Sequence, residues 1–562
     1  MDTQRIIALV VFVFSGTLLW EAWNKHNQPH IPAQNSIQAK NSAPMSPASG
    51  AASTVPTPSG PQTSATNPAG ALPPVANVAT TSKRVLVETD SLAVELDTLG
   101  GDVRKVTLLR HMARGDATKP FLLLQDKPEN YFIAQSGLLG QDLPSHLATW
   151  TTQQDKYILE SGDTLSVTLT FNAASGVSVS KIFTFTRGSY VIDVRYTIKN
   201  ESGAAISPSA YFQFLRDGNP PEGESAGNMF AGVVTFTGPA IYTDAKKFQK
   251  VDFSAIDKGK QEHSKESTDG WIAMVQHYFV SAWLPQDKIK REYFTKKVSD
   301  KLYTAGVIVP MAAIAPGASE SVSMPLYVGP QEQEKLKQLA PGLDLVVDYG
   351  WLTVLAYPMF AVLSWINKIT SNWGWTIIIF TVLLKLVFFP LNQKAGKSMA
   401  HMKHLAPKVE ALKARYGDDK LKMNQAMMEL YKTEKINPLG GCLPILIQMP
   451  FLIAMYWVLL GAVELRNAPW LGWITDLSTP DPFYVLPVIM GASMLIQTKL
   501  NPAPPDPVQA KVMMLMPIVF SVMFFFFPAG LVLYWTMQNI LGIGQQWYIN
   551  KTTAHLAAPK AR

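Results

Sequence analysis

Five apolar runs crowd into the last third of the chain, at 373–391, 442–463, 483–498, 512–527 and 531–549, and they constrain its fold more than any other feature. A helix needs about 20 apolar residues to cross a bilayer, and the runs lie near that length. The third and fourth are short, which implies a locally thinned membrane or close helix packing. A sixth run, 6–20, follows Arg5 and ends near Trp20 and Trp23, the aromatic residues expected where a helix leaves the bilayer. A cleaved signal peptide is the alternative for that run. It ends in Trp-Glu-Ala-Trp-Asn-Lys rather than in small residues, which favours an uncleaved signal anchor over 1–26.

The rest of the chain differs sharply, so the overall 47% hydrophobic and 16% charged residues average unlike parts. Residues 27–83 are Pro, Ala, Ser, Thr, Asn and Gln with Lys40 the one charge before Lys83, too poor in large apolar side chains to repay the entropy of ordering. This is a flexible tether. From 84 to 340 the pattern has period two, as in Leu165-Ser-Val-Thr-Leu-Thr-Phe171 and Val191-Ile-Asp-Val-Arg-Tyr-Thr-Ile198, broken by Gly, Asn, Asp and Pro turns. Many such strands predict a large antiparallel β-sandwich. No recognisable catalytic motif accompanies them, so a structural domain is the reading. The expected fold class is an α-helical polytopic membrane protein of six spans, five of them forming a core, plus this sandwich.

The segment 341–370 is apolar but carries Asp344, Asp348 and Lys368 and is interrupted at Pro358, which predicts an interfacial amphipathic helix rather than a straight span. The core is 371–550, with a cytoplasmic helical hairpin over 392–438 and a short basic tail over 551–562. The net charge of +7 raises the question of nucleic acid, yet ten Lys/Arg lie between Lys394 and Lys435 against five acids, flanked by spans. Positive-inside bias explains that cluster. It puts both termini and the hairpin in the cytoplasm and the sandwich outside it. Cys442 is the single cysteine, so no intrachain disulfide is possible.

Lys385 lies inside the first core span, roughly 9 Å from its inner end at about 1.5 Å per residue. Snorkelling of its stem to the cytosolic interface is one account; a cation in a water-filled cavity is the other. Thr381 shares its face one turn earlier. Gln448, Gln497, Gln545 and Gln546 sit toward the cytosolic ends of their spans, and Ser521 and Gln538 lie near mid-membrane. Polarity concentrated on that side fits a hydrated recess open to the cytosol and closed outside, or amides that hydrogen-bond neighbouring helices.

Within the hairpin, helices are predicted over 397–416 and 420–433, turning at Gly417-Asp-Asp. Met399, Met402, Met423, Met427 and Met428 form either an adaptable apolar surface or the hairpin seam. Its lysines face ribosomal RNA or anionic lipid. His401 and His404 lack companion ligands, so no metal is assigned, and no G-x-x-x-x-G-K-[ST] phosphate loop or other cofactor motif occurs. A secondary transporter is disfavoured because five unequal spans show no inverted repeat. A membrane-anchored, carbohydrate-active periplasmic enzyme has only the sandwich to recommend it.

The stretch Asn437-Pro-Leu-Gly-Gly-Cys-Leu-Pro-Ile-Leu-Ile-Gln-Met-Pro450 resembles the signature of the YidC, Oxa and Albino insertase family. Further matches are Asn372-Trp-Gly374, Pro390-Leu391, Gly417-Asp-Asp-Lys420, Val463-Glu-Leu-Arg466, Ala468-Pro469, Asp481-Pro482 and Phe527-Pro-Ala-Gly-Leu-Val-Leu-Tyr534. The resemblance implies a non-enzymatic five-helix insertase core and a periplasmic β-super-sandwich similar to galactose-mutarotase folds. It implies nascent membrane proteins as clients and the Sec translocon, ribosome, signal-recognition targeting machinery and lipid bilayer as partners. It places Lys385 at the family's groove cation, where many bacterial relatives carry Arg; the polar pattern of the spans adds Thr381, Gln448, Ser521 and Gln538 as candidate groove residues. Met449, Pro450, Tyr534 and Trp535 become candidates for client contact or gating, Trp535 standing where a second Tyr is common.

Overall fold

The computed structural model describes residues 55–56, 82–114, 116–221, 235–260, 262–417, 419–434, 443–500 and 507–553. The expected anchor 1–26, nearly all of the tether 27–83 and the tail from 554 lie outside the described residues.

The period-two sequences form strands because each buries one face. Val177–Thr186 and Val191–Asn200 alternate buried and partly exposed residues along their length. They join an eight-stranded sheet that packs on a ten-stranded one. Pairing is antiparallel throughout, except that Arg84–Glu88 runs parallel to Lys156–Ile158. Trp271–Val275 and Phe279–Trp283 are buried on both faces, and Val194, Ile198, Phe212 and Trp283 meet in the core between the sheets. Each such side chain contributes about 1.5–3 kcal/mol relative to exposure. Two short helices decorate the domain, α1 (Phe253–Asp257) and α2 (Gln333–Leu339).

The helical part follows without a loose joint. Leu343 and Val346 belong to the sheet domain's core, whereas Val347, Tyr349 and Leu352 belong to the helical core. Gln333 on α2 donates a hydrogen bond to the Tyr349 hydroxyl at 2.5 Å across that seam. Among the described residues eight α-helices follow: α3 (Thr353–Thr370), α4 (Trp373–His404), α5 (Ala406–Tyr416), α6 (Lys420–Thr433), α7 (Leu443–Gly461), α8 (Val485–Leu500), α9 (Pro507–Met523) and α10 (Ala529–Thr553). The α10 helix packs on α4, α7 and α8, while α3 packs on α4 and α7.

Two expectations are revised here. Pro358 does not interrupt its segment, because α3 runs through it from Thr353 to Thr370. Pro358 is the sixth residue of α3, past the first turn, so one interior hydrogen bond is forgone while the remaining bonds and the buried face keep the helix continuous. The first hairpin helix is not continuous over 397–416. Instead α4 runs for 32 residues through Pro390 to His404, and a break at Leu405 starts α5, with Pro407 in its first turn. Proline there suits a helix start and clashes with the preceding turn, so the break falls just before it. At about 1.5 Å per residue α4 is near 48 Å long, well beyond a hydrocarbon core of about 30 Å.

By length and composition Gly350–Thr370 and Trp373–Gly396 suffice to cross a membrane, and Leu446–Gly461, Val485–Leu500 and Lys511–Phe526 are shorter apolar helices. Close approach in the bundle uses small residues. A methyl added at Gly491 would lie 2.5 Å from the Ser521 hydroxyl, so α8 and α9 touch there.

Candidate functional site

Three of the polar residues singled out in the sequence converge. Lys385 from α4, Gln448 from α7 and Gln538 from α10 line one recess, walled by Leu384, Phe388 and Phe451. In this conformation the recess has room for about one water molecule. Lys385 is half-buried and makes no hydrogen bond or ion pair with any described residue. Gln538 donates to the hydroxyl of Tyr534, one turn earlier on α10, at 3.1 Å, and Tyr534 is fully buried.

A polar seam continues from the recess toward the far ends of α4 and α10. Gln448 donates to the Asn392 side-chain oxygen at 2.9 Å, and Asn392 donates to Gln545 at 3.4 Å, linking α7, α4 and α10. The Gln545 amide nitrogen is itself buried without a partner. Sequence reasoning missed Asn392 by placing it just outside the span. A signal was present, because seven residues separate Lys385 from Asn392 and Gln538 from Gln545. That spacing is close to two helical turns, so each pair shares one face.

The other candidates lie elsewhere. Thr381 is fully buried and donates to the Ile377 carbonyl at 2.6 Å, so its hydroxyl is satisfied inside its own helix. Ser521 donates to the Pro487 carbonyl at 3.0 Å and joins α9 to α8. Met449 is exposed and Pro450 is half-buried on α7. Trp535 is half-buried and packs edge-on to Phe524 at 5.9 Å and Tyr534 at 6.3 Å. On α6 Met427 is half-buried and Met428 exposed. Met399 and Met402 fall in the distal part of α4, and their side chains lie outside the described residues.

The opposite end of the bundle is closed. Ala462, Leu465, Ala468, Ile474 and Leu477 form an apolar plug after α7, and Val463 inserts into the sheet domain's core. Arg466 crosses to the sheet domain, donating to the Met112 carbonyl at 2.8 Å, with its guanidinium 5.1–5.4 Å from the rings of Phe121, Tyr278 and Phe279. His277 meets the Leu460 carbonyl at 3.0 Å, and burial pushes its imidazole down to about 4, so it is neutral. Burial pushes the Glu464 carboxyl up to about 8, and its Oε2 is enclosed without a hydrogen-bond partner.

A sheet domain seated on the apolar end of a helical bundle, whose helices include two long and apolar enough to cross a membrane, defines a two-part membrane-protein architecture. Residues 84–362 match the family model described as the YidC periplasmic domain, and 365–556 match that of the 60Kd inner membrane protein. The membrane protein insertase YidC of Aromatoleum aromaticum is 54% identical over 552 residues, covering 98% of each chain. That of Methylobacillus flagellatus is 50% identical over 562 residues, covering 100% of this chain and 99% of its own. A crystal structure of an active YidC insertase with its first transmembrane domain resolved aligns over 83% of this chain and 92% of its own, at 17% identity and a TM-score of 0.39. The chain belongs to the YidC family of membrane protein insertases.

Proposed function

We propose that this insertase, whose substrates are membrane proteins, offers the recess around Lys385 to a client's polar flank while the client's apolar segment passes along the lipid-facing side of the bundle. The observation that carries the reading is Lys385 itself, a cation with no partner among the described residues, beside Gln448 and Gln538. A charge within hydrocarbon is costly, so one kept there unpaired is available to a ligand. The barrier to insertion is desolvation of the client's polar flank, and an acidic flank meets a cation and amides in the recess instead of lipid. Burial of the apolar segment, at about 0.8 kcal/mol per CH₂, supplies the drive without a nucleotide. Membership in an insertase family displaces the transporter and carbohydrate-enzyme readings.

The protein resides in the inner membrane. In our reading six spans put both termini in the cytoplasm, the domains follow the sequence-derived boundaries, and α3 lies along the outer interface with Trp351, Val354, Trp365 and Ile369 toward lipid. The excess of basic residues between 394 and 435 faces the cytoplasm and suits anionic lipid or a ribosome. Delivery by signal-recognition machinery and cooperation with the Sec translocon rest on the family resemblance.

The test is insertion of a radiolabelled single-span client with a short acidic tail into liposomes holding only this protein, scored by protease protection of the tail. Lys385→Glu lowers protection at least about tenfold, a change of about 1.4 kcal/mol, and Lys385→Arg retains it. Equal protection with Lys385→Glu overturns the reading.

A further inference from the structure

The strand Asp116–Lys127 has two edges, and only one is used along its length. On one side it pairs with Val103–Ala113, from Val106↔Leu124 to Ala113↔Asp116. On the other side only Gln125, Asp126 and Lys127 pair, with Phe132, Tyr131 and Asn130 of the following strand. That strand then turns away to Val103 and to Ser209–Asp217. Among the described residues, 118–124 therefore shows an open main-chain edge. It opens into a cavity of about 350 Å³, bounded across the domain junction by Arg466.

The walls of that cavity are selective. Phe121, Phe132 and Phe279 give it an apolar floor, while Arg114, Lys119, Arg216 and Arg466 line it with one acid, Asp217, and Lys119 also pairs with Asp116 beside the cavity at 3.0 Å. The Asp217 carboxylate is already engaged by the N–H groups of Tyr131 and Asn219. Gln125, 8% exposed, forms part of the wall, and its side-chain oxygen is buried with no hydrogen-bond partner. The site thus combines strand groups unpaired among the described residues, Pro120 alone lacking an N–H, with a waiting acceptor, cations and aromatic faces.

We propose that this cavity binds an extended acidic polypeptide as an added strand on the open edge at 118–124, and that the bound segment is the translocated flank of a client. The open edge decides for a peptide, because main-chain N–H and C=O groups answer a strand edge and acyl chains or phosphate do not. The Gln125 oxygen takes one N–H, and side chains alternating along the added strand meet the cations on one face and the phenyl rings on the other. At about 3.3 Å per residue the edge accommodates about six residues. This rests on the insertase reading, since it supplies a second contact, on the outer side, for the same acidic flanks that Lys385 admits.

The experiment uses the full chain in lipid nanodiscs and two fluorescein-labelled ten-residue peptides, one alternating Glu with Val and one alternating Lys with Val. Fluorescence anisotropy gives the affinities, and hydrogen exchange reports on 118–124. The acidic peptide binds at least about tenfold tighter, and the double variant Arg114→Glu with Lys119→Glu, at two exposed positions, reverses that preference. The acidic peptide also slows amide exchange within 118–124. Equal binding of the two peptides, indifference to the charge reversal, or unchanged exchange at 118–124 overturns the proposal. Binding does not require insertion, so the two readings separate. Peptide binding without liposome insertion removes the Lys385 mechanism and leaves the cavity, whereas Lys385-dependent insertion without peptide binding removes the cavity alone.

Discussion

Two lysines taken out of water show how differently the two halves of this molecule treat charge. In the sheet domain Lys181 is fully buried, donates to the carbonyls of Gly100 and Ser136 at 3.3 Å, and lies 5.2–5.9 Å from the rings of Tyr196, Phe183 and Trp150. The carboxylate of Asp102 balances it. Burial drives the Lys181 ammonium down and the Asp102 carboxyl up, and their mutual attraction opposes both shifts. In the bundle Lys385 is half-buried and has no such company among the described residues. An answered charge is architecture, because its partners would suffer if it left. An unanswered one holds nothing together, and in the proposed function it is the charge left to meet a client.

The comparison is tested first where the largest effect is expected. Lys181→Met leaves two carbonyls without their donor and Asp102 with only Arg104, at 3.5 Å, to balance it, and it should cost the sheet domain about 3–5 kcal/mol in denaturant unfolding followed by tryptophan fluorescence. A neutral result would erase the distinction between the two lysines. Arg466→Ala comes next. It removes a charged hydrogen bond and three aromatic contacts from the joint between the halves, about 2–3 kcal/mol, seen as faster hydrogen exchange around Met112.

Glu464 provides a pH handle on the same joint. Its folded carboxyl titrates near 8 against an ordinary 4.5, so protonation favours the folded state. The stability it contributes is complete below about 4.5 and is lost as the pH rises through about 8. A shift of one pKa unit corresponds to about 1.4 kcal/mol; Glu464 as a residue is only half-buried although its Oε2 is enclosed, so a discounted effect on the order of 1–2 kcal/mol is expected between pH 5 and 8. Melting temperatures over that range should fall for the parent protein and stay flatter for Glu464→Gln. The smallest stability effect belongs to Lys385→Met, under about 1 kcal/mol in the same melts, because no described partner is lost. If the proposed recess admits clients, the same substitution should lower liposome insertion strongly, which sets Lys385 apart from Lys181.

How much of this was legible in the sequence follows from the range of the interactions. Alternation in 165–171 and 191–198 announced strands because side-chain period is a local property of a pleated chain. Pro358 misled because proline's cost in a helix depends on which carbonyls and neighbours remain to compensate it, and the helix continues. Lys385, Gln448 and Gln538 were recognisable as polar residues in apolar runs, and they do meet. Thr381 and Ser521 were recognisable on the same grounds, yet one hydroxyl is spent on its own helix and the other on the neighbouring helix. A hydroxyl's partner is chosen within about 3 Å, a scale at which spacing along a helix does not discriminate.

The division is clear at the joint as well. The sequence by itself determined the class of each segment, because hydropathy, period and charge bias are summed over many residues and survive any detail of packing. It also determined the family, through long motifs such as 437–450. Only the tertiary structure decided which polar groups face one another. Asn392 becomes the bridge between Gln448 and Gln545, the Glu464 Oε2 is shut away from water, Arg466 is clasped by three rings from the other domain, and 118–124 keeps an edge open among the described residues. Each of these depends on elements far apart in the chain coming within a few ångströms, where a hydrogen bond or the solvation of a charge is made or lost.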